Sequence, residues 1–277
     1  MTALGLTRRG ILLGAAATLT MTGATRAATL AEIKKRGYMT VATEDDYQPF
    51  EFTQNGKPTG YDQELLDLFK KKAGFEIRQD IIPWTGILPG VTTGKYDAAV
   101  TAILVTQERM KTLDFSSPVV ESVDYYLKRK GDKKIQGIKD LSGLSLGVEA
   151  GSAMLKLLPQ LDDMLKATGG KLGKIVSYQG YPEAYQDLAL GRIDFVVNTQ
   201  LSLESIAKSK PDTFEVGQPV SKPTYIAWAV VKDNTELLAM LNEFLLGTRK
   251  DGTMYALQRK WFDTTFENMP EAPSATV

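Results

Sequence analysis

Thr106 and Arg109 stand three residues apart where an apolar run turns polar, in AAVTAILVTQERMKTLDFSSPVV, residues 98–120. Thr caps helix N-termini because its hydroxyl accepts a bond from a free N–H of the first turn. The spacing therefore predicts a helix starting at Thr106. A capping box would place Glu or Gln three residues later, but this chain has Arg109 there. A cation in a first turn faces the positive end of the helix dipole, at a cost of about 0.3–1 kcal/mol when exposed. Either of two groups can offset that cost. One is an internal acid, Glu108 or Asp114. The other is an external anion, which the guanidinium fork grips through two parallel bonds.

Little other chemistry is available. The chain has no Cys and no His. That removes thiol nucleophiles, Ser-His-Asp triads, zinc sites and disulfides together, and no metal or cofactor is expected. Any catalysis would run on carboxylates, Lys, Arg, Tyr, hydroxyls or amides. Lys+Arg and Asp+Glu both total 33, so no net charge points to nucleic acid as a partner.

The elements that must position Arg109 alternate. YMTVAT (38–43) reads as a strand, and the loop EDDYQPFEFTQNGKPTG follows. Residues 62–73 have helical periodicity, with Gly74 as a C-terminal stop. FEIRQDIIP (75–83) reads as a strand, TGILPGVTTG as a short helix or turn, and YDAAVTAI as a buried strand. This order argues an α/β fold, with a parallel sheet covered by helices. A second passage repeats the plan: strand LSLGVEA, helix GSAMLKLLPQLDDMLKAT, strand GKIVSYQ, helix PEAYQDLALG and buried strand IDFVVN. GKYDAAVTA and GRIDFVVNT share Gly, a base, an apolar residue, Asp and an apolar run. The likeness suggests two similar lobes, although a glycine stop before a buried strand is common. Ligands of open α/β sheets sit beyond the carboxyl ends of the strands. Those ends are Thr101-Ala102 and Asn198-Thr199, and two such ends facing each other would make a cleft. A strand within 224–234 and helices over 235–248 and GTMYALQRKWF complete the chain.

The first 27 residues read as a cleaved secretory signal: Arg8-Arg9, an apolar stretch, then small residues to Ala27. TRRGIL resembles a twin-arginine export signal. The apolar run is shorter than the roughly 20 residues a spanning helix needs. Loss of Arg8, Arg9 and Arg26 from 33 bases leaves about 30 against 33 acids. A soluble exported protein is expected, with residues 266–277 as a flexible tail.

Residues 29–265 resemble the extracellular solute-binding proteins of amino-acid ABC transporters, family 3. The fragments that carry the resemblance are YQPFEF, GKPTGYDQELLDLF, GKYDAAV, VTQERMKTLDFSSPV, LGVEAGSAM, AYQDLALGRIDFVV and YIAWAVVKDN, in that order. The resemblance implies a type II periplasmic binding fold of two lobes, each a mixed, mostly parallel sheet with helices. Lobe 1 would take residues 28–120 and 225–265, and lobe 2 residues 124–221. Two crossing strands near Val119–Tyr126 and Gln218–Tyr225 would form the hinge. It also implies a periplasmic monomer that passes a small carboxylate or amino acid to a membrane permease.

In the resemblance, Arg109 grips the ligand carboxylate. Tyr47 and Trp84 form aromatic walls, although core packing is their ordinary use. Thr101, Ala102 and Leu104 sit where the family offers hydroxyl and backbone groups. Gly151 and Ser152 open a lobe 2 helix, with plain N-capping the alternative for Ser152. The chain departs from the family where the ligand ammonium is bound. Asn198 and Thr199 replace the usual Asp, and Ala153 replaces a Thr. Either another acid reaches in (Glu44, Asp45, Asp46 or Glu149), or the solute is not a standard α-amino acid. The runner-up reading is a cyclohexadienyl dehydratase-like enzyme on the same fold, with Glu149 as its acid. A receptor's ligand-sensing domain is a weaker third.

Overall fold

The computed structural model describes residues 27–275. The export signal expected over 1–27 lies, but for its last residue, outside them. Among the described residues no helix is long and apolar enough to cross a membrane.

The chain opens with α1 (Leu30–Arg36), β1 (Tyr38–Glu44), β2 (Phe52–Gln54), β3 (Lys57–Thr59), α2 (Tyr61–Lys72), β4 (Glu76–Ile82), α3 (Trp84–Thr92), β5 (Ala98–Leu104), β6 (Leu113–Phe115) and β7 (Val120–Ser122). It continues through β8 (Asp124–Arg129), β9 (Leu146–Glu149), α4 (Ala153–Lys166), β10 (Ile175–Tyr178), α5 (Tyr181–Ala189), β11 (Phe195–Thr199), α6 (Gln200–Ser209) and β12 (Phe214–Pro219). It closes with β13 (Thr224–Val231), α7 (Thr235–Lys250) and α8 (Thr253–Phe262). Apart from the β2–β3 pair, the strands up to Ser122 build one sheet with β13, in the order β4-β1-β5-β13-β6, with β7 on β13. The strands between form a second, β10-β9-β11-β8-β12.

Each sheet starts parallel and ends antiparallel. β1 runs parallel to β4 and β5, and β9 to β10 and β11. The returning β13 is antiparallel to β5, β6 and β7, and β8 to β11 and β12. The βαβ order predicts only the parallel part, because β8 and β13 reach their sheets by crossing between lobes. The crossings lie side by side. Thr224 pairs with Ser122, and the Val220 N–H donates to the Asp124 carbonyl at 2.8 Å. The loop expected after β1 contains the β2–β3 hairpin, turning at Asn55-Gly56 with positive φ at both residues.

The cores follow the strand period of two. In β5, Ala98, Val100, Ala102 and Leu104 join one apolar cluster, and Ala99 and Ile103 join another on the opposite face. Helices cover both faces, so the whole strand is buried. The segment expected as a flexible tail lies against lobe 1. Arg249 donates to the Pro270 carbonyl at 2.8 Å, and Ser117 Oγ donates to the Glu271 carbonyl at 2.5 Å.

The repeated Gly-base-apolar-Asp motif does the same work in each lobe. Asp97 accepts from the Thr40 N–H at 2.7 Å and from the Thr40 hydroxyl at 3.0 Å. Asp194 accepts from the Ser145 N–H at 2.8 Å and from the Ser145 hydroxyl at 2.6 Å. In return the N–H of each Asp donates to the carbonyl of its partner, 2.9 Å in both lobes. Each Asp thereby pins the register of a central parallel pair. Arg36 also bonds to Asp97. Truncating either carboxylate strands a backbone N–H and a hydroxyl. Asp97→Ala and Asp194→Ala should each lose about 2–3 kcal/mol in urea unfolding. Their losses should add in the double variant, because the sites lie in different lobes.

Candidate functional site

The pinned strands bring three carboxyl ends to the cleft: β1 at Glu44, β5 at Ala102 to Leu104, and β9 at Glu149. They bound a small cavity of about 10 Å³ with Tyr47, Trp84, Arg109, Ser152, Ala153, Met154 and Tyr181. That is room for about one water, so the lobes are closed upon each other. Contacts across the cleft agree. The Tyr47 hydroxyl donates to Asn198 Oδ1 at 2.7 Å, and the Tyr47 and Tyr181 rings lie 5.8 Å apart. Lys156 pairs with Glu108 at 3.2 Å.

Arg109 lies in one 3-10 turn, Arg109–Lys111, rather than in the helix expected from Thr106. Thr106 does cap the turn, its hydroxyl accepting from the Arg109 N–H at 3.2 Å. The chain then returns to the sheet at Leu113, which leaves space for a single turn. One turn aligns few peptide dipoles, so the helix-dipole contribution expected at Arg109 is largely absent.

Neither internal acid meets the guanidinium. Glu108 is paired with Lys156, and Asp114 with Lys232 at 2.5 Å. Arg109 instead donates to the Leu104 carbonyl at 2.9 Å, and its guanidinium carbon sits 5.0 Å from the centre of the Trp84 ring. Among the described residues it forms no ion pair. Burial brings its pKa down to about 10, which leaves it charged at neutral pH.

The cavity's acids are Glu44 and Glu149, 5% and 4% exposed. They stand on opposite lobes and line the same small cavity. Burial pushes Glu44 well above the ordinary carboxylate range, with Glu149, Glu51 and Asp45 adding to the effect. Burial raises Glu149 to about 8, against the opposing bond from Glu44. Asp45 and Asp46, the other acids considered for an ammonium, are exposed and do not line this cavity.

Six of the ten expected site residues line the cavity: Tyr47, Trp84, Ala102, Leu104, Arg109 and Ser152. Gly151 adjoins it. Its positive φ of 73° suits glycine. Leu104 offers its carbonyl as expected, but to Arg109. Thr101 differs, because its hydroxyl is committed to the buried Glu51. Asn198 and Thr199 differ also. Asn198 accepts from Tyr47 and donates to the Tyr185 hydroxyl at 2.9 Å, and the Thr199 and Tyr47 hydroxyls lie 3.2 Å apart. Both residues hold the aromatic wall rather than line the cavity. Tyr181 and Met154 line it without having been expected. Tyr181 opens α5 after β10, a strand-end position that could have signalled it.

Ser152 occupies the N-cap of α4, yet its side chain makes no capping bond. Its hydroxyl is buried with no hydrogen-bond partner among the described residues. N-capping therefore does not account for Ser152. A working Ser cap loses about 1 kcal/mol on truncation. Ser152→Ala should instead leave ligand-free stability within about 0.5 kcal/mol in urea unfolding, since no made bond is lost.

Two lobes, two crossing strands and a cation in the cleft define a two-lobed binding protein. Residues 39–264 match the profile of the bacterial extracellular solute-binding proteins, family 3, and the chain belongs to that family. It is 29% identical over 235 residues to the L-cystine-binding protein TcyJ of Escherichia coli (strain K12), covering 84% of this chain and 85% of the relative. It is 28% identical over 221 residues to the ABC transporter arginine-binding protein 1 of the same strain, covering 78% and 87%. Among solved structures it resembles the ancestral amino acid-binding protein AncCDT-1, a precursor of cyclohexadienyl dehydratase. The TM-score is 0.75 at 31% identity, over 85% of this chain and 100% of that one. An ancestral arginine-binding protein bound to arginine gives a TM-score of 0.74 at 30% identity, over 82% and 99%.

Proposed function

We propose that the protein captures an amino acid in the cleft between its lobes and delivers it, outside the cytoplasmic membrane, to the permease of an ABC importer. One observation carries the reading: Arg109 faces the cleft as a cation whose side-chain hydrogen-bond and ring partners are a carbonyl and an indole. A ligand carboxylate supplies the missing charge and suits the guanidinium bidentately. Trp84 and Tyr47 wall the ligand, and the Ser152 hydroxyl gains its partner. The binding proteins for cystine and arginine among the relatives support an amino acid as solute. The closed cavity is far smaller than any amino acid, so entry requires the lobes to part at the crossing strands, a hinge motion. The family supports a periplasmic address, where the expected export signal would send the chain.

Arg109→Ala should lower affinity at least about 100-fold in calorimetry against an amino-acid panel, because it deletes a charged, desolvated bond. The circular dichroism spectrum should be unchanged. Undiminished affinity would remove Arg109 from the site.

One observation favours a second reading, an acid-assisted elimination on a carboxylated ring. Burial raises the Glu149 carboxyl to about 8 in a cavity that Arg109 also lines, and such chemistry requires a raised carboxyl. Incubation with prephenate or arogenate decides between them. No phenylpyruvate or phenylalanine is expected, and steady product formation would establish the enzyme.

A further inference from the structure

Glu44 ends β1 in lobe 1, and Glu149 ends β9 in lobe 2. Each stands four residues after the residue that the register-pinning Asp holds: Thr40 for Asp97, Ser145 for Asp194. The two carboxylates are therefore equivalent groups of two similar lobes, and closure brings them face to face. Bridging positions fixed by the sheets, they cannot turn aside as surface acids would.

Two ionised carboxylates cannot hydrogen-bond, since both are acceptors only. Burying both at one small cavity needs a proton on one of them, or a cation between them. Parting the lobes would relieve the burial that each imposes on the other's acid and bring both carboxyls toward the ordinary carboxylate range. We infer that Glu44 and Glu149, buried on opposite walls of one small cavity, form an electrostatic latch: the lobes close only when a proton or the positively charged group of a ligand joins the two acids. This deepens the amino-acid reading and rests on it for the ligand. The solute must carry a cation as well as the carboxylate that Arg109 takes. It also accounts for the neutral Asn198, because the acid that meets the ammonium stands at Glu149 instead.

The surroundings are consistent with this latch. Asp45 and Glu51 are the nearby acids that act on Glu44, and Asp45 and Arg109 act on Glu149. Tyr47, Tyr181 and Tyr185 face the pair with phenols whose pKa values lie above the ordinary tyrosine range, so they stay neutral here. Among these groups Arg109 is the only cation, and it is reserved for the ligand carboxylate. The partnerless Ser152 hydroxyl in the same cavity independently marks the place of a ligand group.

The sign of the pH dependence follows. The closed form holds one proton that the open form has released, because burial disfavours two charged carboxyls in one cavity. Closure of the ligand-free protein is therefore favoured at low pH and fades as pH rises from the ordinary carboxylate range through about 8. Small-angle X-ray scattering of the ligand-free protein between pH 8 and pH 5 tests this without any ligand. The radius of gyration should fall with pH, the closed-to-open ratio rising by up to about tenfold per pH unit. In Glu149→Gln an amide donates to the remaining carboxylate, and the shift should disappear. Glu44→Gln serves equally if the first variant does not fold. L-Arginine, L-lysine and L-glutamine then probe the cationic route at pH 8. Whichever compacts the protein should do so with a weaker pH dependence than the ligand-free protein. A constant radius of gyration in the unmodified protein, a shift retained in both variants, or an equal pH dependence with ligand would overturn the latch. The ligand-free titration stands apart from the amino-acid reading, which the calorimetry tests.

Discussion

The cleft depends on where two parallel strand pairs end. In each lobe one Asp side chain accepts from the backbone and hydroxyl of its neighbouring strand, Thr40 in one and Ser145 in the other. A one-residue slip would turn every side chain of a strand to the opposite face. These bonds resist such a slip at the strand starts, and so set which side chains emerge at the strand ends. Glu44, Ala102, Leu104 and Glu149 reach the cleft because Asp97 and Asp194 hold the other ends in step.

What emerges is charged and incomplete. Arg109 is kept beside a carbonyl and an indole, partners that orient a guanidinium without neutralising it. In the same small cavity stand two buried acids, Glu44 and Glu149, that burial makes costly to ionise together. A protein that needed this region only for stability would gain from pairing cation with acid. Here the two signs line one cavity, yet among the described residues Arg109 forms no ion pair with either acid. The aromatic wall is tied off separately, as Asn198, Thr199 and Tyr185 fix the Tyr47 hydroxyl. The charged walls can therefore select the ligand while the aromatic wall keeps its shape.

Much of this was legible in the chain. Apolar runs of four to eight residues marked β1, β5, β9 and β11, because strands covered on both faces need no polar alternation. Arg109 was conspicuous as a base in a first turn, and the repeated Gly-base-apolar-Asp motif marked the two pinned strands. The antiparallel β8 and β13 were not legible as such, because their partners are set by crossing between lobes. The helix expected from Thr106 shrank to one turn, since β6 begins too soon after it. Thr101 was legible as a hydroxyl at a strand end, but its commitment to Glu51 depends on a loop that returns from far along the chain.

The sequence by itself determined which groups exist: one motif-borne arginine, strand-end acids, aromatic residues, and neither Cys nor His. Local pattern also set the strands that carry them, because burial and capping act over a few neighbours. Only the tertiary structure decided how those groups combine. It spent Asn198 and Thr199 on Tyr47, left Arg109 without an ion pair among the described residues, and set Glu44 and Glu149 at one cavity. The physical reason is that charge and hydrogen-bond complementarity act through space. Residues 44 and 149 belong to different lobes, and no local pattern records that closure makes them neighbours.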